Sequence, residues 1–116
     1  MKRLLDELRE WGCDIEGAME RFLEDEELYY SCLEMLVEDE GLKRLGEELE
    51  AGETEEAFDC AHTLKGVIGN MGLTPMFEIM VRIVEPLRAG RIENLESVYE
   101  ELVEAKDYLK RLLDGE

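Results

Sequence analysis

Apolar residues recur in this chain at three- and four-residue intervals from one end to the other, and no segment alternates with period two. A chain patterned in this way buries its apolar surface only by forming amphipathic helices and packing them side by side. The spacing predicts a short arm over residues 2–11, with Leu4, Leu5, Leu8 and Trp11 on one side and Gly12 ending it. A second short helix follows Asp14, and Asp25 is placed to cap a third, in which Leu28, Tyr29, Cys32, Leu33, Leu36 and Val37 form the stripe through to about residue 39. Gly41 is expected to break or bend the chain, after which Leu42, Leu45 and Leu49 continue the pattern to residue 52. Thr54 is expected to cap the next helix, which runs to about Met71 and closes at Gly72. Thr74 then reads as an N-cap with Pro75 at the first helical position, opening a helix to about Arg88 whose last turn Pro86 should distort. The last helix is expected over residues 93–113, with Leu95, Val98, Tyr99, Leu102, Leu109 and Leu112 on one side. The resulting expectation is all-α: one domain over residues 1–116, an antiparallel four-helix bundle over 25–114 with short amino-terminal accessory helices over 1–24.

One histidine occurs in the sequence, and it lies where a helix carries glycines at two interior positions, in Ala61-His62-Thr63-Leu64-Lys65-Gly66-Val67-Ile68-Gly69-Asn70-Met71-Gly72. Each interior glycine costs a helix about 0.8 to 1 kcal/mol relative to alanine, so Gly66 and Gly69 call for a reason beyond folding. At about 100° per residue, Lys65, Gly66 and Gly69 all fall within roughly 60° of His62. Ala57, Cys60, Ala61, Leu64, Val67, Ile68 and Met71 form the opposite stripe, so the histidine points away from the core.

Charge restricts the partners. The chain carries 31 Asp and Glu against 13 Lys and Arg, a formal net charge of −18, which argues against nucleic acid, since phosphate backbones are bound by Lys and Arg. Residues 57–92 alone sum to +1, so the histidine region is spared the acidity. No apolar run of membrane length is present, and Cys13, Cys32 and Cys60 are odd in number with no C-x-x-C pair. These features give a cytoplasmic protein with reduced thiols as the expectation. A lone histidine without an E-x-x-H pair cannot supply a usual metal-ligand set, and no G-x-x-x-x-G-K-[ST] loop is present to bind a nucleotide.

The string His62-x-x-Lys65-Gly66, preceded by Ala61 and followed by Gly69, Asn70 and Gly72, resembles the signature of histidine-containing phosphotransfer (Hpt) domains of bacterial phosphorelays. Residues 12–30, with Asp14-Ile15-Glu16, Arg21-Phe22 and Asp25-Glu26-Glu27-Leu28-Tyr29, are similar to the amino-terminal helices of that family. The resemblance implies a four-helix bundle with His62 as phosphoryl acceptor, Lys65 as the cation beside the phosphoryl group and Gly66 as the opening for a partner. It implies that receiver domains of response regulators or hybrid kinases are the partners. Helix position sets Phe58 beside His62 and Leu73 beyond the glycines, where either could offer such a partner apolar contact, with Phe58 equally suited to the bundle edge; Asp59 and Gly69 are the other expected contacts. The chain itself would be a monomeric carrier rather than an enzyme, with no cofactor of its own and magnesium on the receiver. One position departs from the family: a Gln or Glu is often found 22 residues after the histidine, where this sequence has Val84. Two other readings are a phospho-accepting domain of a chemotaxis-type kinase and a receiver-binding module that carries no phosphate.

Overall fold

The computed structural model describes residues 2–115 and contains, among them, seven helices and no strand. They are α1 (Lys2–Trp11), α2 (Ile15–Arg21), α3 (Glu26–Val37), α4 (Glu40–Ala51), α5 (Thr54–Asn70), α6 (Thr74–Arg88) and α7 (Glu96–Asp114). Three aspartates open helices by accepting backbone N–H bonds: Asp14 from Gly17 at 3.1 Å, Asp25 from Leu28 at 3.0 Å and Asp39 from Gly41 at 2.6 Å.

The third of these caps moves the break expected at Gly41. The α3 helix stops at Val37, Asp39 starts a new helix, and Gly41 lies buried in its first turn. A Cβ on Gly41 would come within 2.9 Å of the capping Asp39 Oδ1 and 3.5 Å of Leu64, so the glycine admits the cap and the neighbouring helix.

The two threonine caps are also corrected. Thr54 and Thr74 are themselves the first residues of α5 and α6, which begin without a side-chain cap. Thr74 Oγ1 instead donates back to the Gly72 carbonyl at 3.4 Å. Pro86 does not stop α6, which continues to Arg88; the chain then turns through Gly90 (φ 79°) and Asn94 (φ 64°), delaying α7 until Glu96.

The helices α5 and α6 form a tightly packed hairpin, α4 packs on α5, and α7 closes the bundle against α6 on one side and α3 and α4 on the other. The α3–α4 rod runs antiparallel to both of its long neighbours. Tyr29, near its start, donates to the Met71 carbonyl at the end of α5, whereas Cys60 in the first half of α5 donates to Gly41. Tyr99 near the start of α7 donates to Leu42 at 2.7 Å, and Lys110 further along reaches Glu38 at 3.6 Å. The molecule is accordingly elongated, 41 × 24 × 22 Å. Its core is apolar, with no charged residue buried among those described. Arg82 of α6 grips Glu101 of α7 through two hydrogen bonds of 2.7 and 2.8 Å, and these hold the Glu101 carboxyl below its usual range.

The stripe on α5 is narrower than its spacing predicts. Ala57, Cys60, Ala61, Leu64 and Ile68 are buried, but Val67 is 40% exposed, because α4 covers that side of α5 only partly and leaves a groove there.

The short helices do more than cover an end. Asp14 N–H donates to the Gly72 carbonyl at 2.8 Å, Arg21 donates to Asn70 at 2.8 Å, and Tyr29 bonds Met71 at 2.7 Å. Three segments of the first thirty residues thus hold the α5–α6 turn, the turn that ends the histidine helix.

Candidate functional site

His62 stands exposed near the middle of α5, a helix fixed on its opposite side by core residues. One turn earlier, Phe58 lies under the imidazole, with ring centroids 5.5 Å apart and planes inclined by 25°. Arg88 of α6 sits 5.2 Å from the centroid of the same phenyl ring and pairs with Glu85 at 3.5 Å. One face of the imidazole is therefore covered by a ring that is itself packed against the core.

On the other side of the histidine, Lys65 is half-buried, with Nζ 5.7 Å from the centroid of Phe77 of α6. His62, Lys65, Gly66, Gly69, Asn70, Phe77 and Arg21 together line an open cleft of about 360 Å³. The cations facing this region are Lys65 and Arg21, and neither is neutralised by a carboxylate among the described residues. A dianionic group on His62 would meet favourable charge there despite the acidity of the whole chain.

The two interior glycines do different things. A Cβ on Gly66 would meet no atom within 4 Å, so the backbone beside His62 is open to an approaching surface. A Cβ on Gly69 would lie 3.0 Å from two carbons of the Phe77 ring. Gly69 thus admits the neighbouring helix at the Phe77 ring as well as lining the cleft beside His62.

Two expected contacts are displaced. Leu73 is fully buried as part of the core, so its side chain offers nothing to a partner. Asp59 is exposed but lines the separate groove between α4 and α5, together with Glu48, Glu56 and Val67, rather than the histidine cleft. Val84 is buried in the core, so the position offers neither a polar group nor room for one, and Glu85 is turned to Arg88.

Arg21, Phe77 and Arg88 are site residues that sequence spacing alone does not reveal. Phe77 and Arg88 come from α6 and Arg21 from α2, and helical periodicity orders residues within a helix but not across helices. The one signal for Arg21 lay in the amino-terminal stretch similar to the Hpt family.

The family model described as the Hpt domain matches residues 3–115, nearly the whole chain. The chain belongs to the Hpt domain family. No curated protein and no solved structure matches it significantly. Hpt domains are histidine-containing phosphotransfer carriers of phosphorelays, and the all-helical bundle is the architecture that such a domain has. No helix among the described residues is long and apolar enough to cross a membrane.

Proposed function

We propose that this Hpt domain is a phosphoryl carrier in a His-Asp phosphorelay, with His62 as the acceptor. The observation that carries this reading is the exposed His62 beside a backbone left open at Gly66 and a cation at Lys65. A neutral imidazole nitrogen attacks the phosphorus of an aspartyl phosphate on a receiver domain; the N–P bond forms, the acyl-phosphate O–P bond breaks and the aspartate leaves as carboxylate. The phosphohistidine retains enough transfer potential to pass the group to the aspartate of a second receiver. Magnesium and most of the catalytic groups belong to the receiver in this scheme, so the carrier needs only access, orientation and charge.

Each requirement has its residues. Phe58 covers one face of the imidazole, Lys65 offsets phosphoryl charge, and Gly66 keeps the approach clear. The lifetime of the phosphorylated state depends on the same cation, since it stabilises the group once it has arrived. The carrier acts as a cytoplasmic monomer that meets its receivers one at a time.

The test is to incubate the chain with phosphorylated receiver domains and score acid-labile label. Transfer to the native chain and none to His62→Gln is the expected result. Substantial acid-labile labelling of His62→Gln, with the fold intact, would overturn the assignment.

A further inference from the structure

Arg21 opens onto the histidine cleft from a helix that is 41 residues away in sequence, and nothing in the scheme above uses it. Its Nε donates to the Asn70 carbonyl at 2.8 Å and its Nη2 to the Gly69 carbonyl at 3.4 Å. These are among the last carbonyls of α5, at the negative end of its dipole, and the Gly69 carbonyl also accepts from the Gly72 N–H at 3.0 Å. That negative end lies about 12 Å along the axis from His62, so charge placed there acts on His62 only at long range and more weakly as salt rises. Two of the five guanidinium N–H groups hold the carbonyls, and no carboxylate among the described residues pairs with the side chain. Asp14 N–H on Gly72 and Tyr29 on Met71 clamp α2 and α3 to the same turn, so the position of Arg21 is fixed by the fold.

We infer that Arg21 is a second cation of the phosphotransfer cleft, offsetting the negative end of α5 and adding long-range positive charge to the cleft onto which phosphorylated His62 opens. The guanidinium stays charged at every working pH, and its anchoring to α5 removes much of the cost of holding a long side chain in place. Arg21 is a positioning and charge residue, distinct from Lys65, because it comes from the accessory arm and makes that arm part of the site. The inference rests on His62 being the phosphoryl acceptor.

The experiment uses the full chain and phosphoramidate, which needs no receiver. The imidazole nitrogen forms a bond to phosphorus as the P–N bond of phosphoramidate breaks, and ammonia leaves with the imidazole proton. Labelling rate and phosphohistidine lifetime are measured for the native chain, Arg21→Gln, Arg21→Lys and His62→Gln, each normalised to the folded fraction from circular dichroism. Arg21→Gln should label about three- to fivefold more slowly and lose its label correspondingly faster. The gap should narrow in about 0.5 M salt, and Arg21→Lys should recover most of the native rate and lifetime. An Arg21→Gln protein with native rate and lifetime but a lower unfolding midpoint would make Arg21 a helix cap alone and overturn the inference. A native chain that labels no better than His62→Gln would instead remove the acceptor assignment on which the inference stands.

Discussion

At the scale of single residues, Gly66 and Gly69 have the same sequence logic and opposite surroundings. With open space around its Cβ position, Gly66→Gln should raise helix stability by up to about 1 kcal/mol while slowing transfer from a receiver, because the new side chain stands in the approach to His62. Thermal unfolding beside a transfer assay checks this; a destabilised Gly66→Gln that accepts phosphate at the native rate would show that the glycine serves packing. Gly69→Ala should behave differently, since Phe77 must yield, and any gain in propensity is offset. Lys65→Ala should shorten phosphohistidine lifetime with little change in melting temperature, as an exposed or half-buried lysine adds little to stability. Another residue-scale prediction concerns alkaline pH. Burial pushes the Cys13 thiol from 9.0 up to about 12 and pushes the Tyr29 hydroxyl up as well. The folded state thus favours the neutral forms, so their contribution is full below about pH 9 and is lost as pH rises towards 12, where the unfolded chain releases protons that the folded chain keeps. The melting temperature should fall across that window, and Cys13→Ala combined with Tyr29→Phe should flatten the fall. Tyr29→Phe alone should cost about 1 kcal/mol at neutral pH by removing its bond to the Met71 carbonyl.

At the scale of elements, the decisive junction is between the α5–α6 turn and the amino-terminal arm. Gly72 has a φ of 71°, and a Cβ there would lie 2.3 Å from the Asp14 carbonyl and 3.1 Å from the Ala18 Cβ. Gly72→Ala should therefore destabilise the protein by roughly 2 to 4 kcal/mol, from left-handed strain and overlap together, and should loosen Arg21 from the cleft. Urea unfolding gives the first quantity, and faster amide hydrogen exchange in α2 gives the second; an alanine variant of native stability would mean that α2 is not held through this contact. The helices themselves were legible in the sequence, because apolar spacing and the aspartate caps at positions 14 and 25 act within a few residues of one another. The exact starts of α4, α5, α6 and α7 were not. Asp39 competes with Gly41 for the break, and Thr54 and Thr74 are equally suited to the cap and to the first helical turn until neighbouring helices fix the entry of the chain.

At the scale of the whole molecule, a net charge of −18 is spread over outer faces while the core contains no charged residue among those described. Self-repulsion should lower stability at low ionic strength, so raising salt from about 0.01 to about 0.5 M, which shortens the screening length several-fold, should raise the melting temperature. A midpoint that stays flat or falls would show that the acidic faces are too well solvated to repel one another. The charge distribution also separates what each level of information determines. The sequence by itself determined the all-helical bundle, the outward direction of His62, the nearness of Lys65 and Gly66 and the relative neutrality of residues 57–92, since all of these depend on composition or on spacing along one helix. Tertiary structure decided that Gly69 is filled by Phe77, that Leu73 and Val84 belong to the core, that Asp59 faces another groove, and that Arg21 and Arg88 reach the histidine region. Each of those outcomes depends on which helix lies beside which, and at what height. Periodicity is a property of one helix at a time, whereas neighbours are chosen by the packing of all the helices together.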